Sequence, residues 1–108
     1  MQEEWTTGIH TYRSEIDGID QQMIDYLAKR FEAAKHIAEL KKRCEQPVVQ
    51  ADRAKEVERR YVKRGTEHQL GANFMSRLYQ LIHEETCRIE AEIIKDEVRE
   101  GHSRTVAP

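Results

Sequence analysis

The feature that most constrains the fold is a long run without proline, from Gly8 to Cys44, in which apolar residues recur at steps of three and four. They are Ile9, Tyr12, Ile16, Ile19, Met23, Leu27, Ala34 and Ile37. Such spacing is typical of an amphipathic α-helix, because it places the apolar side chains on one face. A helix of roughly 36 residues is about 54 Å long, whereas a compact domain of about 100 residues has a radius of gyration of about 13 Å. The run therefore predicts one helix that is much longer than an ordinary domain.

Two shorter helices are predicted downstream. Pro47 ends the first helical run, because a proline disfavours helical backbone in the residue before it. A second helix is expected from about Ala51 to Lys63, with Gly65 as its C-terminal stop, and GTEHQLG is interpreted as a loop. The third helix is expected to start near Ala72 and carries Phe74, Leu78, Leu81, Ile82, Ile89, Ile93 and Ile94.

No segment is typical of a β-strand, so the expected fold is all-α, with a three-helix protomer whose first helix is very long. We expect the helical domain over residues 1–96 and a flexible C-terminal tail over residues 97–108. Two short helices cannot cover a stripe of about 54 Å, whereas a second copy of the chain can. The length of the stripe therefore predicts an intertwined homodimer. The alternative is a monomer whose first helix breaks near Gly18.

Composition argues against several classes of protein. A chain of 108 residues suggests one domain, and a net charge of -2 with a pI near 6.2 argues against a nucleic-acid partner. No run approaches the roughly 18 apolar residues of a membrane span. The acidic start MQEEWTTGIH is not typical of a signal peptide. Cys44 and Cys87 are the only cysteines, so we expect a cytoplasmic protein with free thiols.

Two cations interrupt the apolar stripe of the first helix. Arg30 and Lys41 are separated by about 16 Å along the helix axis but by only about 20° around it, so their side chains can converge on one small anion. Arg13 precedes Arg30 by about 25 Å and is rotated from it by roughly 100°. We therefore expect Arg13 to reach the site of the partner chain in an antiparallel dimer.

The third helix carries polar residues to match. Thr86 and Glu90 continue, at steps of four, a stripe that is otherwise apolar. Buried charges are costly unless they are paired. In one interpretation, Arg30 and Lys41 pair with Glu90 and fix the register of the helices. In the other, the cations and the carboxylate line a small-anion site in the bundle, and the excess of cations favours a dicarboxylate ligand.

Metal and thiol chemistry are not predicted. The HEE sequence at residues 83–85 lacks the HExxH spacing of a zinc site. Cys87 is interpreted as a small packed residue rather than a nucleophile, with no histidine at a telling spacing from it. The sequence therefore predicts no zinc site and no nucleophilic thiol.

Four stretches, YRSEIDGIDQQMIDYLAKR, IAELK, PVVQADR and LYQLIHEETCRIE, together resemble the all-helical chorismate mutases over residues 9–94. The resemblance implies an intertwined dimer with two composite sites, which rearranges chorismate to prephenate without cofactor or metal. It implies catalytic roles for Lys41, Glu90 and Arg30, with Lys41 donating to the ether oxygen of the substrate. The substrate-binding positions it implies are Arg13 of the other subunit, Arg30, Lys41, Gln50, Arg53, Thr86 and Glu90.

Two positions depart from the family pattern. Typical members carry acidic residues, which help bind the 4-hydroxyl of chorismate, where this chain has Gln50 and Ala54. The loss resembles a subgroup that includes 4-amino-4-deoxychorismate mutases and isochorismate-pyruvate lyases. The resemblance therefore implies a mutase acting on chorismate or its 4-amino-4-deoxy analogue. The alternatives are an isochorismate-pyruvate lyase and a non-catalytic helical dimerisation module.

Overall fold

The structure is a computed structural model, and it describes the backbone of residues 1–106 and the side chains of residues 1–95. It contains three helices, α1 (Gln2–Arg43), α2 (Ala51–Glu67) and α3 (Ala72–Val106). Over the described backbone no residue lies in a strand, so the prediction of an all-α chain with a very long first helix is confirmed. No helix among the described residues is both long enough and apolar enough to cross a bilayer.

Helix α1 begins at Gln2 rather than near Gly8. Two glutamates in its first turn, Glu3 and Glu4, favour this earlier start, because carboxylates interact well with the positive end of the helix dipole. The helix then runs without interruption through Gly18, where an added Cβ would meet no atom within 4 Å. The predicted alternative of a break near Gly18 is therefore wrong.

Helix α1 ends in a Schellman-type turn. Glu45 takes a left-handed backbone conformation with φ of 54°, and the Gln46 N–H donates to the Lys41 carbonyl over 2.7 Å. This bond satisfies one of the carbonyls that a helix end leaves without a partner. Pro47 follows the turn and prevents the helix from resuming.

Helix α2 passes through Gly65 instead of stopping before it, so the predicted helix end at Lys63 is wrong. Gly65 is buried, and a Cβ added there would overlap Met75 of α3, lying 2.9 Å from its Sδ atom. The glycine is therefore needed for close approach between two helices. The left-handed residue that follows α2 is Gln69, with φ of 64°.

The chain divides into two compact units, Met1–Glu32 and Ala33–Pro108. In the second unit α2 packs against α3, and Tyr61 meets the buried ring of Tyr79 edge-on at 5.1 Å between centroids. In the first unit the apolar stripe is exposed, with exposed fractions of 54% for Ile16, 48% for Ile19 and 55% for Met23. The flexible tail predicted over residues 97–108 lies outside the residues whose side chains are described, and it stays a prediction together with the domain boundary at 96.

Candidate functional site

A buried ion pair joins the end of α1 to α3. The Lys41 Nζ atom lies 2.7 Å from the Glu90 Oε1 atom, and the two side chains are only 13% and 5% exposed. The next residue, Lys42, donates through Nζ at 3.3 Å to the carbonyl of Ile93, which lies about one turn beyond Glu90 on α3. Two lysines thus hold the last turn of α1 to α3. Lys41 pairs with a buried carboxylate, whereas Lys42 donates to a backbone carbonyl.

Lys41 has a second acceptor in the connection between α1 and α2. Its Nζ atom donates to the Val48 carbonyl at 2.6 Å. An ammonium has three N–H donors, so the two described bonds leave capacity for one further acceptor. A ligand atom placed at that third position would meet a cation that is already oriented and largely desolvated.

Glu90 is a buried carboxylate, with an exposed fraction of 4% for the whole residue. Burial of a carboxylate is costly unless a cation or hydrogen bonds compensate it. Lys41 supplies that compensation at Oε1, so the pair satisfies the expectation that inward charges find each other. This contact is consistent with both sequence interpretations, a structural ion pair and a polar site for an anion.

Thr86 lies one turn before Glu90 on α3. Its Oγ1 atom donates to the Ile82 carbonyl over 2.9 Å, and the residue is half-buried. Because the hydroxyl hydrogen is used on the backbone, Thr86 can donate to a ligand only after its side chain rotates.

Gln50 and Arg53 lie at the start of α2. Gln50 is the N-cap residue, but its exposed side chain makes no capping bond. Arg53 pairs with Glu56 at 3.7 Å while 60% of its side chain is exposed. An exposed pair of this kind is weak, so Arg53 can exchange Glu56 for a ligand carboxylate at small cost. The half-buried Ala54 follows Arg53 and presents no polar group.

The two remaining candidate residues belong to the first unit. Arg13 is exposed and Arg30 is half-buried. Their placement at one site with Lys41 and Glu90 stays a prediction. Within the second unit, Lys41 and Glu90 are brought into direct contact.

Three polar side chains on α3 form a connected row that was not predicted from the sequence. The Cys87 Sγ atom lies 3.6 Å from the His83 Nε2 atom, and the His83 Nδ1 atom lies 3.3 Å from the Tyr79 hydroxyl. The interpretation that no histidine stands at a telling spacing from Cys87 was therefore wrong. The signal was the four-residue step from 79 to 83 to 87, which makes side chains neighbours on a helix.

The Cys87 thiol is nevertheless unsuited to act as a nucleophile. Burial is the largest cause that raises its pKa, the charge of Glu90 raises the pKa further, and Lys41 partly opposes the shift. The thiol is therefore protonated at neutral pH, and a protonated thiol is a poor nucleophile. Among the residues whose side chains are described, no cluster of three or more metal-ligating residues could hold a metal ion.

Comparison with known proteins places most of the chain within one family model. The model of chorismate mutase type II matches residues 12–91. A 4-amino-4-deoxychorismate mutase of Streptomyces venezuelae is 32% identical over 78 residues, which make up 72% of this chain and 76% of the relative. A second protein of that description, from Streptomyces pristinaespiralis, is 28% identical over 89 residues, 82% of this chain and 69% of the relative.

Longer relatives match over one part of their length. A bifunctional chorismate mutase/prephenate dehydratase of Buchnera aphidicola is 33% identical over 84 residues, 78% of this chain but 22% of the relative. Its counterpart in Escherichia coli (strain K12) is 28% identical over 97 residues, 88% of this chain and 25% of the relative. The chain thus spans a quarter or less of the length of these bifunctional relatives.

Proposed function

The chain belongs to the chorismate mutase type II family, a family of isomerase enzymes, and we propose on that premise that it catalyses a Claisen rearrangement of chorismate or 4-amino-4-deoxychorismate. The observation that carries the proposal is the buried contact between Lys41 and Glu90, because it provides an oriented cation within the matched region. The product would be prephenate or its 4-amino-4-deoxy analogue.

The reaction fits side chains of this kind. A Claisen rearrangement breaks an ether C–O bond and forms a C–C bond in one pericyclic step, so it needs neither a nucleophile nor a base. The enzyme can accelerate it by holding the flexible substrate in its folded, reactive shape. It can also stabilise the negative charge that grows on the ether oxygen as the C–O bond breaks.

We assign the residues to these two tasks. Lys41 donates its third N–H to the ether oxygen, because its other two donors are used by Glu90 and Val48. Arg30 and Arg53 bind the two substrate carboxylates through the planar fork of the guanidinium. Arg13 of the partner subunit binds the same doubly charged substrate. Gln50, Thr86 and Glu90 surround the ring, and no metal or cofactor takes part.

The substituent at ring carbon 4 distinguishes the two proposed substrates. Gln50 and Ala54 stand where typical family members have acidic residues, so the pocket for a 4-hydroxyl differs here. A relative of which this chain covers 76% is described as a 4-amino-4-deoxychorismate mutase. An ionised Glu90, which already accepts from Lys41, could also accept a hydrogen bond from a 4-ammonium group.

Glu90 allows a direct experiment on mechanism. If the ionised carboxylate accepts from the substrate, activity should fall at low pH as Glu90 takes up a proton, and Glu90→Gln should remove that acid limb. If a protonated Glu90 donates to the ether oxygen instead, activity should fall as pH rises. A pH–rate profile of the wild type beside Glu90→Gln distinguishes the two. Identical profiles would remove Glu90 from both mechanisms.

We also propose that the chain works as an intertwined homodimer. The support is the exposed apolar stripe of the first unit, which includes Ile16, Ile19 and Met23. Such a stripe is costly to leave in water, at about 25 cal/mol per Å². Met23→Lys should dissociate the dimer in sedimentation experiments, whereas Gln21→Lys, on the opposite side of the helix, introduces the same charge and should not. Equal sedimentation of all three proteins as monomers would refute the dimer.

The function is tested by turnover of purified protein on chorismate, 4-amino-4-deoxychorismate and isochorismate, with the products separated by chromatography. We expect rearrangement of one of the first two and its loss in Lys41→Met. Release of salicylate and pyruvate from isochorismate would instead identify a lyase. If none of the three substrates is turned over and a bicyclic dicarboxylate that mimics the transition state does not bind, the protein is a non-catalytic helical dimerisation module.

A further inference from the structure

One face of α3 carries more polar groups than the two that the proposed mechanism uses. On a helix of 100° per residue, the side chains of Tyr79, His83, Thr86, Cys87 and Glu90 fall within an arc of about 100°. Cys87 is separated from Glu90 by about 4.5 Å of helical rise, and His83 by about 10 Å. These distances are comparable with the size of a six-membered ring that carries two carboxylates.

Three of these side chains hold one another in place. The imidazole of His83 stacks on the Tyr79 ring, with 5.5 Å between centroids and 22° between planes. Its Nδ1 atom is hydrogen-bonded to the Tyr79 hydroxyl, and its Nε2 atom contacts the Cys87 thiol. A neutral imidazole donates from one nitrogen and accepts at the other, so it can serve both neighbours at once. Tyr79 is itself buried and packed edge-on by Tyr61.

Cys87, at the end of this row of side chains, lies beside the ion pair of Lys41 and Glu90. Both Glu90 and Lys41 act electrostatically on the Cys87 thiol, in opposite directions, while burial raises its pKa most. Cys87 lies three residues before Glu90 on α3, which makes their side chains neighbours on the helix, and Glu90 contacts Lys41. Cys87 is half-buried, so part of its surface can contact a ligand held by the same two charges.

We propose that Cys87 forms a side wall of the dicarboxylate site beside Lys41 and Glu90, and that His83 is the positioning residue that fixes this wall against Tyr79. The inference rests on the proposed function, since the ligand is the ring dicarboxylate of that reaction. A thiol is small and only weakly polar, so it can contact the apolar face of the ring. A larger side chain at this position would leave less space for the ring. The wall contributes no covalent step.

The wild-type protein allows a test with an internal control, because Cys44 is exposed and Cys87 is half-buried. Both thiols are alkylated with iodoacetamide, with and without a bicyclic dicarboxylate that mimics the transition state, and each rate is read from peptide masses. At about ten times the dissociation constant of the ligand, mass action predicts a rate about tenfold lower at Cys87. The rate at Cys44 should not change.

The result separates failure of the inference from failure of the proposed function. Calorimetry on the same samples shows whether the dicarboxylate binds. Binding without protection of Cys87 would overturn the wall and leave the proposed function standing. Absence of binding would overturn both.

Variants give a second readout. Cys87→Met extends the wall and should weaken binding of the dicarboxylate at least tenfold, whereas Cys87→Ser, of nearly the same size, should change it less than threefold. Cys44→Met is the matched control and should bind as the wild type does. Equal affinities for Cys87→Met and Cys44→Met would overturn the wall.

The positioning role of His83 has its own signature. His83→Ala should raise KM several-fold with little change in kcat, because the wall loosens while the charges that act on the ether oxygen remain. His83→Gln keeps a donor and an acceptor at similar reach and should restore most of the affinity. If both variants lose only thermal stability and keep the wild-type KM, His83 has no positioning role.

Discussion

Replacing Lys41 with methionine should lower the free energy of unfolding at neutral pH by about 3–5 kcal/mol, the usual cost of leaving a buried charge without its partner. The partner is Glu90, which is 5% exposed and lies 2.7 Å from the Lys41 ammonium. Methionine preserves most of the aliphatic stem, so the loss comes from the charge and from the bond to Val48 rather than from a cavity.

A double-mutant cycle gives the interaction energy itself. Free energies of unfolding are measured by urea titration for Lys41→Met, Glu90→Leu and the double variant, at one protein concentration because assembly shifts apparent stability. The double variant should be more stable than Lys41→Met, since it no longer buries a lone carboxylate. The control cycle uses Arg60 and Glu56, whose side chains are 63% and 45% exposed, and should give about 1 kcal/mol or less. If the Lys41 and Glu90 changes add to within about 0.5 kcal/mol, the two groups do not interact in solution and the reasoning is refuted.

Two further predictions concern packing and pH. Gly65→Ala should lower the free energy of unfolding by about 1–2 kcal/mol, since the overlap with Met75 outweighs the better helix propensity of alanine; in a Met75→Ala background the same change should become neutral or stabilising, and persistent destabilisation there would contradict the overlap. The raised pKa of Cys87 contributes stability that is complete below the ordinary pKa of a thiol and is lost as pH rises through the raised value. Urea titrations from about pH 7 to about pH 10 should therefore show a steeper loss for the wild type than for Cys87→Ser, and parallel curves would refute the shift.

Much of the helical architecture is local and could be predicted. The three- and four-residue steps of the apolar residues predict the long first helix, and Ala72 begins α3 as expected. The ends were harder, because they depend on contacts across the fold. A glycine near the end of an apolar pattern usually marks a stop, but Gly65 continues α2 since Met75 requires the missing Cβ. The sequence of Gly65 and its neighbours does not contain that information.

The site was predictable to the extent that it follows from charge and helical spacing. Cations on an apolar stripe and a carboxylate on another are expected to meet, and Lys41 does meet Glu90. The bond from Lys41 to the Val48 carbonyl could not be read from residue types, because any residue at position 48 offers the same backbone acceptor. The contact between His83 and Cys87 does follow from their four-residue spacing, because side chains at such a step are neighbours on a helix.

The bond between Lys41 and Val48 also bears on affinity. A lysine side chain that becomes fixed loses about 1.5–2 kcal/mol of rotamer entropy. In this chain the side chain is already fixed by a carboxylate and a carbonyl before any ligand arrives. That loss therefore falls on folding, and a ligand meets a preorganised cation whose immobilisation it does not have to compensate. The bond to Val48 also couples the order of the segment between α1 and α2 to the position of the ammonium. If that segment frays, Lys41 loses one of the two acceptors that hold its side chain in place.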